Sequence, residues 1–175
     1  QMKTYLKSNK IIVFALLFAL FTSCNNPETT TFYLVRHAEK EMNDSTEKQN
    51  DDPQLTKEGE QRAQKLAEIL NEEKISAIYS TAYQRNRETV APLAKSKDLS
   101  VSNYEWYNWQ PMIDTIKKKY TGDKVVICGH GDNLLPMIEY LNGKRPQEKL
   151  HKREYDKIFK VKYTTDTTLV TTLTY

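Results

Sequence analysis

Lys124-Val125-Val126-Ile127-Cys128, running directly into Gly129-His130-Gly131-Asp132, is an apolar run of strand length in which polar and apolar residues do not alternate. A strand wetted on one side alternates. A strand covered on both faces does not, and two-sided cover belongs to the interior of a parallel sheet flanked by helices. The flanking sequence supplies such helices. Upstream, Met112 to Tyr120 reads as a helix through Met112, Ile113 and Ile116. Downstream, Leu134 to Leu141 reads as another, with Pro136 in its first turn and Asn142-Gly143 as its stop.

The alternation continues outward. Thr31-Phe-Tyr-Leu-Val35 and Ile75-Ser-Ala-Ile-Tyr79 have the β-branched and aromatic content of strands, and Leu99 to Tyr104 is a third. Between them, Ala63, Leu66, Ala67 and Leu70 recur at i, i+3, i+4 and i+7, an amphipathic helix with Thr56 as N-cap and Glu58 and Glu60 near its positive end. Residues 83–96 read as a further helix, with Pro92 weakening its continuity. Lys157–Tyr163 and Leu169–Tyr175 pair as a hairpin about Thr165-Asp166. The expected fold is α/β: a three-layer α/β/α sandwich with a mainly parallel central sheet, right-handed crossovers and a C-terminal hairpin.

Composition narrows the class. The 175 residues are 38% hydrophobic and 28% charged, which excludes a collagen-like chain, a disordered charged tail and a multi-pass membrane protein. The chain has 26 Lys+Arg against 23 Asp+Glu, but the excess lies entirely in Lys3, Lys7 and Lys10 within residues 1–23. The remainder is balanced, leaving no electrostatic footprint for a nucleic-acid partner.

Those three lysines precede eleven consecutive apolar residues, Ile11 to Phe21. A spanning helix needs about 20 residues, so eleven fits the apolar core of a secretory signal. Phe21-Thr22-Ser23-Cys24 resembles the bacterial lipoprotein lipobox, with Phe21 at the usual Leu position. That resemblance implies cleavage before Cys24 and lipidation of its thiol; a short buried helix with an incidental Cys is the alternative. The expected organisation is a signal peptide at 1–23, a lipidated tether at 24–30 and a domain at 31–175. Such a protein would be exported to the cell envelope and held at a membrane by its lipid alone. Cys128 is then the only other thiol, so no internal disulfide is available.

In open α/β sheets ligands sit beyond the carboxyl ends of the strands. Three strands are followed by chemistry-bearing residues: Arg36-His37-Ala38-Glu39, Ser80-Thr-Ala-Tyr-Gln-Arg85, and Gly129-His130-Gly131-Asp132. Two of the three histidines and two arginines thereby fall on one sheet edge.

These segments resemble a known family. Leu34-Val-Arg36-His37-Ala38-Glu39 is similar to the Arg-His-Gly motif of the histidine phosphatase (phosphoglycerate mutase-like) superfamily, with Ala38 for Gly as in its small phosphohistidine-phosphatase-like branch. Leu55-Thr-Lys-Glu-Gly59-Glu-Gln-Arg-Ala63, Ser80 to Thr89 and Gly129-His130-Gly131 resemble the family's later motifs, in family order. The resemblance implies His37 as nucleophile, forming a phosphohistidine that water cleaves. It implies Arg36 and Arg85 as clamps on the phosphoryl oxygens, His130 as the second imidazole, and Asn43 as a phosphate contact. For the acid that protonates the leaving oxygen it points to Glu105, with Asp132 as the other choice; as a plain residue Asp132 reads as a helix N-cap. No metal and no cofactor are expected, and the expected partner is a small phosphorylated substrate. Glu39 reads as structural and His151 as a surface residue.

Two other readings stay open at this level. One is a metal site built from His37, Glu39 and His130, disfavoured by the adjacent arginines. The other is a lipoprotein that binds a phosphoryl ligand without turning it over. The aromatic-dense segment Tyr104-Glu-Trp106-Tyr107-Asn-Trp109 suits a lid, a substrate wall or a packed core edge, of which a core edge is the commoner outcome for such residues.

Overall fold

The computed structural model describes residues 28–42 and 51–175. Six strands and four helices follow in the order β1 (Thr30–Arg36), α1 (Lys57–Ile69), β2 (Ile75–Ser80), α2 (Gln84–Lys97), β3 (Val101–Asn103), α3 (Gln110–Lys119), β4 (Lys124–Gly129), α4 (Leu134–Asn142), β5 (Lys157–Tyr163) and β6 (Thr168–Thr174) among the described residues. The strands form one sheet in the order β3-β2-β4-β1-β5-β6. β3, β2, β4 and β1 are mutually parallel, and the β5–β6 hairpin joins antiparallel beside β1.

The apolar run at 124–128 is central as expected, with β1 on one side and β2 on the other. Alternate residues of each strand enter different cores. Phe32, Leu34, Val125 and Ile127 pack with Ile113 and Ile116 of α3 and Leu134 and Ile138 of α4. Tyr33, Val35, Val126 and Cys128 pack with Leu66 of α1 and Val90 and Leu93 of α2. Two cores on two faces make the three-layer sandwich. Connections running from β1 toward the β3 edge place α1 and α2 on one face, while the return from β3 to β4 places α3 on the other. A single crossover hand requires that reversal.

Local signals hold where the chemistry is local. Thr56 caps α1, its hydroxyl accepting from the Gly59 amide at 3.1 Å. Gly143 ends α4 with φ +76°, a conformation that costs a residue with a Cβ. α2 continues through Pro92, held by burial of Val90, Leu93 and Ala94. The third strand is shorter than the stretch 99–104, because the Leu99 amide is spent closing α2 on the Ala94 carbonyl (3.0 Å). Thr30, expected in the tether, is instead the buried first residue of β1, and its hydroxyl donates to the Tyr120 carbonyl at 3.2 Å. Cys24 and Asn43 lie outside the described residues.

Candidate active site

β1 and β4 are neighbours with Arg36 opposite Gly129, yet the chain leaves them toward opposite faces of the sheet, to α1 and to α4. Diverging connections of this kind open a crevice at the carboxyl ends of the two strands. His37 and His130 are the first residues beyond those ends. The His37 amide donates to the Gly129 carbonyl at 3.0 Å, and the two imidazoles meet edge to face with centroids 5.5 Å apart. They are 4% and 9% exposed.

Nδ1 of His37 is 2.8 Å from the Ala38 carbonyl oxygen. A carbonyl only accepts, so Nδ1 carries the ring proton and the neutral ring keeps its lone pair on Nε2. Burial first, then the charges of Arg36, His130 and Arg85, push the His37 pKa down to about 3. Burial, followed by Arg85 and Arg36, brings His130 to about 4 against the opposing pull of Asp132. Both rings are therefore neutral at ordinary pH, beside two permanent cations.

Each arginine is held from one side. Arg36 donates through Nη1 to the main-chain carbonyls of His151 and Lys152, at 3.0 and 3.1 Å, and its guanidinium carbon lies 4.4 Å from the centre of the Tyr155 ring. Arg85 stacks 4.3 Å over Tyr83 and lies 3.7 Å from Asp52. The Nε of each is buried with no acceptor among the described residues. Two buried guanidinium donors without acceptors, beside two neutral imidazoles, make a site that favours an oxyanion.

A layer of buried polar side chains sets these groups in place. The Thr89 hydroxyl accepts from the Ala38 amide at 2.9 Å and donates to the Arg85 carbonyl at 2.7 Å, tying α2 to the turn after β1. Asn86 donates to the Gly129 carbonyl at 3.0 Å. Thr81 and Nε2 of His130 share a proton across 3.1 Å. Asn133 accepts from the His130 amide at 2.8 Å and donates to the Trp106 carbonyl at 3.1 Å.

The structure thus brings Arg36, His37, Arg85 and His130 together. Glu105 is exposed and lines a cavity of about 310 Å³ that also includes Thr81 and Tyr83. Asp132 is exposed too, but it is not the N-cap of α4; that position is Asn133, whose side chain serves the His130 amide instead of the helix. Glu39 is structural, both of its oxygens accepting from Arg62 Nε at 2.9 Å, which takes it away from any ligand set with the histidines. Among the described residues no group of three or more His, Cys, Asp or Glu could hold a metal ion. His151 is exposed as expected, yet its main chain holds Arg36.

Tyr155, Tyr83, Thr81 and Asn133 join the site beyond the residues to which the sequence motifs point. Tyr83, Thr81 and Asn133 lie within four residues of a predicted site residue, the one signal available for them. Tyr155 reaches the site from 119 positions beyond Arg36 and carries no local signal.

Residues 32–105 match the model of the histidine phosphatase superfamily, branch 1, a stretch that holds Arg36, His37, Arg85 and Glu105 and ends before His130. Over that stretch, less than half of the chain, the sequence is similar to the histidine phosphatase superfamily. The fold agrees over most of the chain. Phosphoglycerate mutase from Bacillus anthracis str. Sterne superposes with a TM-score of 0.66 at 17% identity, covering 85% of this chain and 94% of that one. The alpha-ribazole phosphatase from Shigella flexneri gives 0.64 at 15%, covering 83% and 96%. The protein histidine phosphatase SixA, complexed with tungstate, gives 0.65 at 12%, covering 82% and 96%. At these identities the likeness speaks for the fold alone. No curated protein matches the sequence.

Proposed function

We propose that the protein is a metal-independent phosphatase that hydrolyses phosphomonoesters or phosphoramidates through a phosphohistidine on His37. The observation that carries this reading is the pair of buried neutral imidazoles 5.5 Å apart, flanked by two guanidinium groups whose Nε donors have no acceptor among the described residues. Histidine phosphatase superfamily members are phosphatases or mutases, and structures named for both share the fold.

Nε2 of His37 attacks phosphorus, and the bond from phosphorus to the leaving oxygen breaks. Arg36, Arg85 and His130 hold the oxygens of the transferring group, where charge develops. Glu105 in its acid form gives its proton to the leaving oxygen. Water then attacks the phosphohistidine and returns a proton to the Glu105 carboxylate, the P–N bond breaks, and inorganic phosphate leaves with His37 neutral again. Only 44 residues separate Arg85 from His130, which leaves little room there for an inserted domain that encloses the substrate. We further propose export and anchoring through Cys24, which would give the enzyme small organic phosphates outside the cytoplasm.

The test is turnover of p-nitrophenyl phosphate by the purified protein with and without EDTA, together with phosphate labelling of His37 quenched in alkali, where the P–N bond survives. Activity insensitive to EDTA and lost in His37→Ala is expected. Inorganic phosphate or tungstate bound without turnover would instead identify a protein that keeps the pocket and has no activity.

A further inference from the structure

The cavity that Glu105 lines bears directly on the substrate. It measures about 310 Å³, and its walls include Asp52, Thr81, Tyr83, Glu105 and Trp106. It adjoins the imidazole pair: Thr81 contacts His130 Nε2 at 3.1 Å, and the Tyr83 and His130 ring centroids are 5.2 Å apart. We infer that this cavity holds the leaving group, and that the substrate is a phosphomonoester whose alcohol carries a flat aromatic or heteroaromatic ring without a negative charge. This rests on the phosphatase reading of the site.

The leaving oxygen must lie within reach of the acid, so the group it carries occupies the space beside Glu105. The aromatic-dense segment divides there. Tyr104 and Trp109 are core residues, 8% and 9% exposed, whereas Trp106 is 41% exposed on the cavity. Trp106 is placed there by a polar tether, since Asn133 bonds both its carbonyl and the His130 amide. Tyr83 is backed by the Arg85 guanidinium at 4.3 Å, which fixes its ring as a second wall. Aromatic walls reward a planar guest by stacking. About 310 Å³ is at the small end of ligand cavities, which suits one ring system.

No lysine or arginine is among the residues that line this cavity, so a second anion on the leaving group finds no cation in its walls. Cations line a different cavity, about 650 Å³, on the Tyr155 side of the site, with Lys40, Lys152 and Arg153. Its carboxylates are engaged, Glu39 by Arg62 at 2.9 Å and Glu58 by the same residue at 3.9 Å.

The experiment compares 2-phenylethyl phosphate, n-butyl phosphate and 3-phosphoglycerate, alkyl esters with leaving oxygens of similar basicity. For the full-length protein, KM is expected to be at least tenfold lower for the phenylethyl ester than for the butyl ester, with 3-phosphoglycerate the poorest. Trp106→Ala should raise KM for the phenylethyl ester about tenfold and for the butyl ester by a smaller factor; Trp106→Phe should restore most of the difference and covers the case in which the alanine variant fails to fold. Binding of the same three compounds by calorimetry decides the matter without turnover. Absent turnover overturns the phosphatase reading, whereas equal binding of the phenylethyl and butyl esters overturns the ring pocket. Tightest binding of 3-phosphoglycerate, lost in Lys152→Ala/Arg153→Ala, also overturns it and assigns recognition to the cationic side.

Discussion

The Tyr155 ring covers the Arg36 guanidinium at 4.4 Å, while main-chain carbonyls three and four residues earlier take its Nη1 hydrogens. The segment between α4 and β5 therefore orients an arginine that β1 supplies. A cation held over a ring gains about 0.5–2 kcal/mol. Tyr155→Leu should weaken inhibition by inorganic phosphate or tungstate about 2- to 30-fold, measured as a shift in Ki, and Tyr155→Phe should retain most of the affinity.

Acid should destabilise the fold through the two imidazoles. Their folded-state pKa values of about 3 and about 4 lie below the unfolded value near 6.5, so the unfolded chain binds more protons below that pH. Stability is greatest above pH 6.5 and falls as the pH drops toward 4. Each ring accounts for roughly 2 kcal/mol by pH 5. Together they should lower Tm by about 10 °C between pH 7 and pH 5, read by calorimetry, and His130→Gln should remove a large part of that slope. kcat/KM should carry no acid limb near pH 6.5 from His37, because the ring remains a free base well below it.

Gly59 permits a close approach. A Cβ there would lie 2.2 Å from the Glu39 carbonyl oxygen, main chain against main chain, so α1 would have to lift from the turn that follows His37. Gly59→Ala should cost about 1–3 kcal/mol in urea denaturation. It should also lower kcat/KM, since the turn it disturbs carries the nucleophile.

Thr89→Val leaves the buried Ala38 amide without its acceptor, a loss of about 1–3 kcal/mol in stability. Because the same hydroxyl reaches the Arg85 carbonyl, phosphate affinity should fall as well, while Thr89→Ser should preserve both.

The amino-terminal proposal has its own test. Cys24→Ala should release the protein from the membrane fraction of the expressing cell; continued sedimentation with membranes would exclude anchoring through that thiol.

The sequence makes some of this arrangement readable and hides the rest, for physical reasons. The unbroken apolar run at 124–128 reports two-sided burial, and Thr56 and Gly143 report helix ends, because each depends on chemistry within a few residues. Arg36, His37, Arg85 and His130 are readable because sheet topology carries strand ends to one edge. That the hairpin would add antiparallel beside β1 is invisible in β5, whose pattern suits any neighbour. Asp132 and Asn133 are both good caps by type, and only the position of the His130 amide decides between them. Trp106 and Trp109 differ by three positions and by which face of a turn meets the core.

The nucleophile-bearing turn grows from β1 and the second imidazole from β4, each strand paired on both sides and covered on both faces. Amide exchange should therefore divide the molecule: the peptides of 32–36 and 125–129 among the last to take up deuterium, those of 151–155 among the first. Gentle heating or denaturant would then loosen the peripheral ligand contacts while the imidazole pair stays assembled, and activity lost in that regime should return on cooling without passage through the unfolded chain.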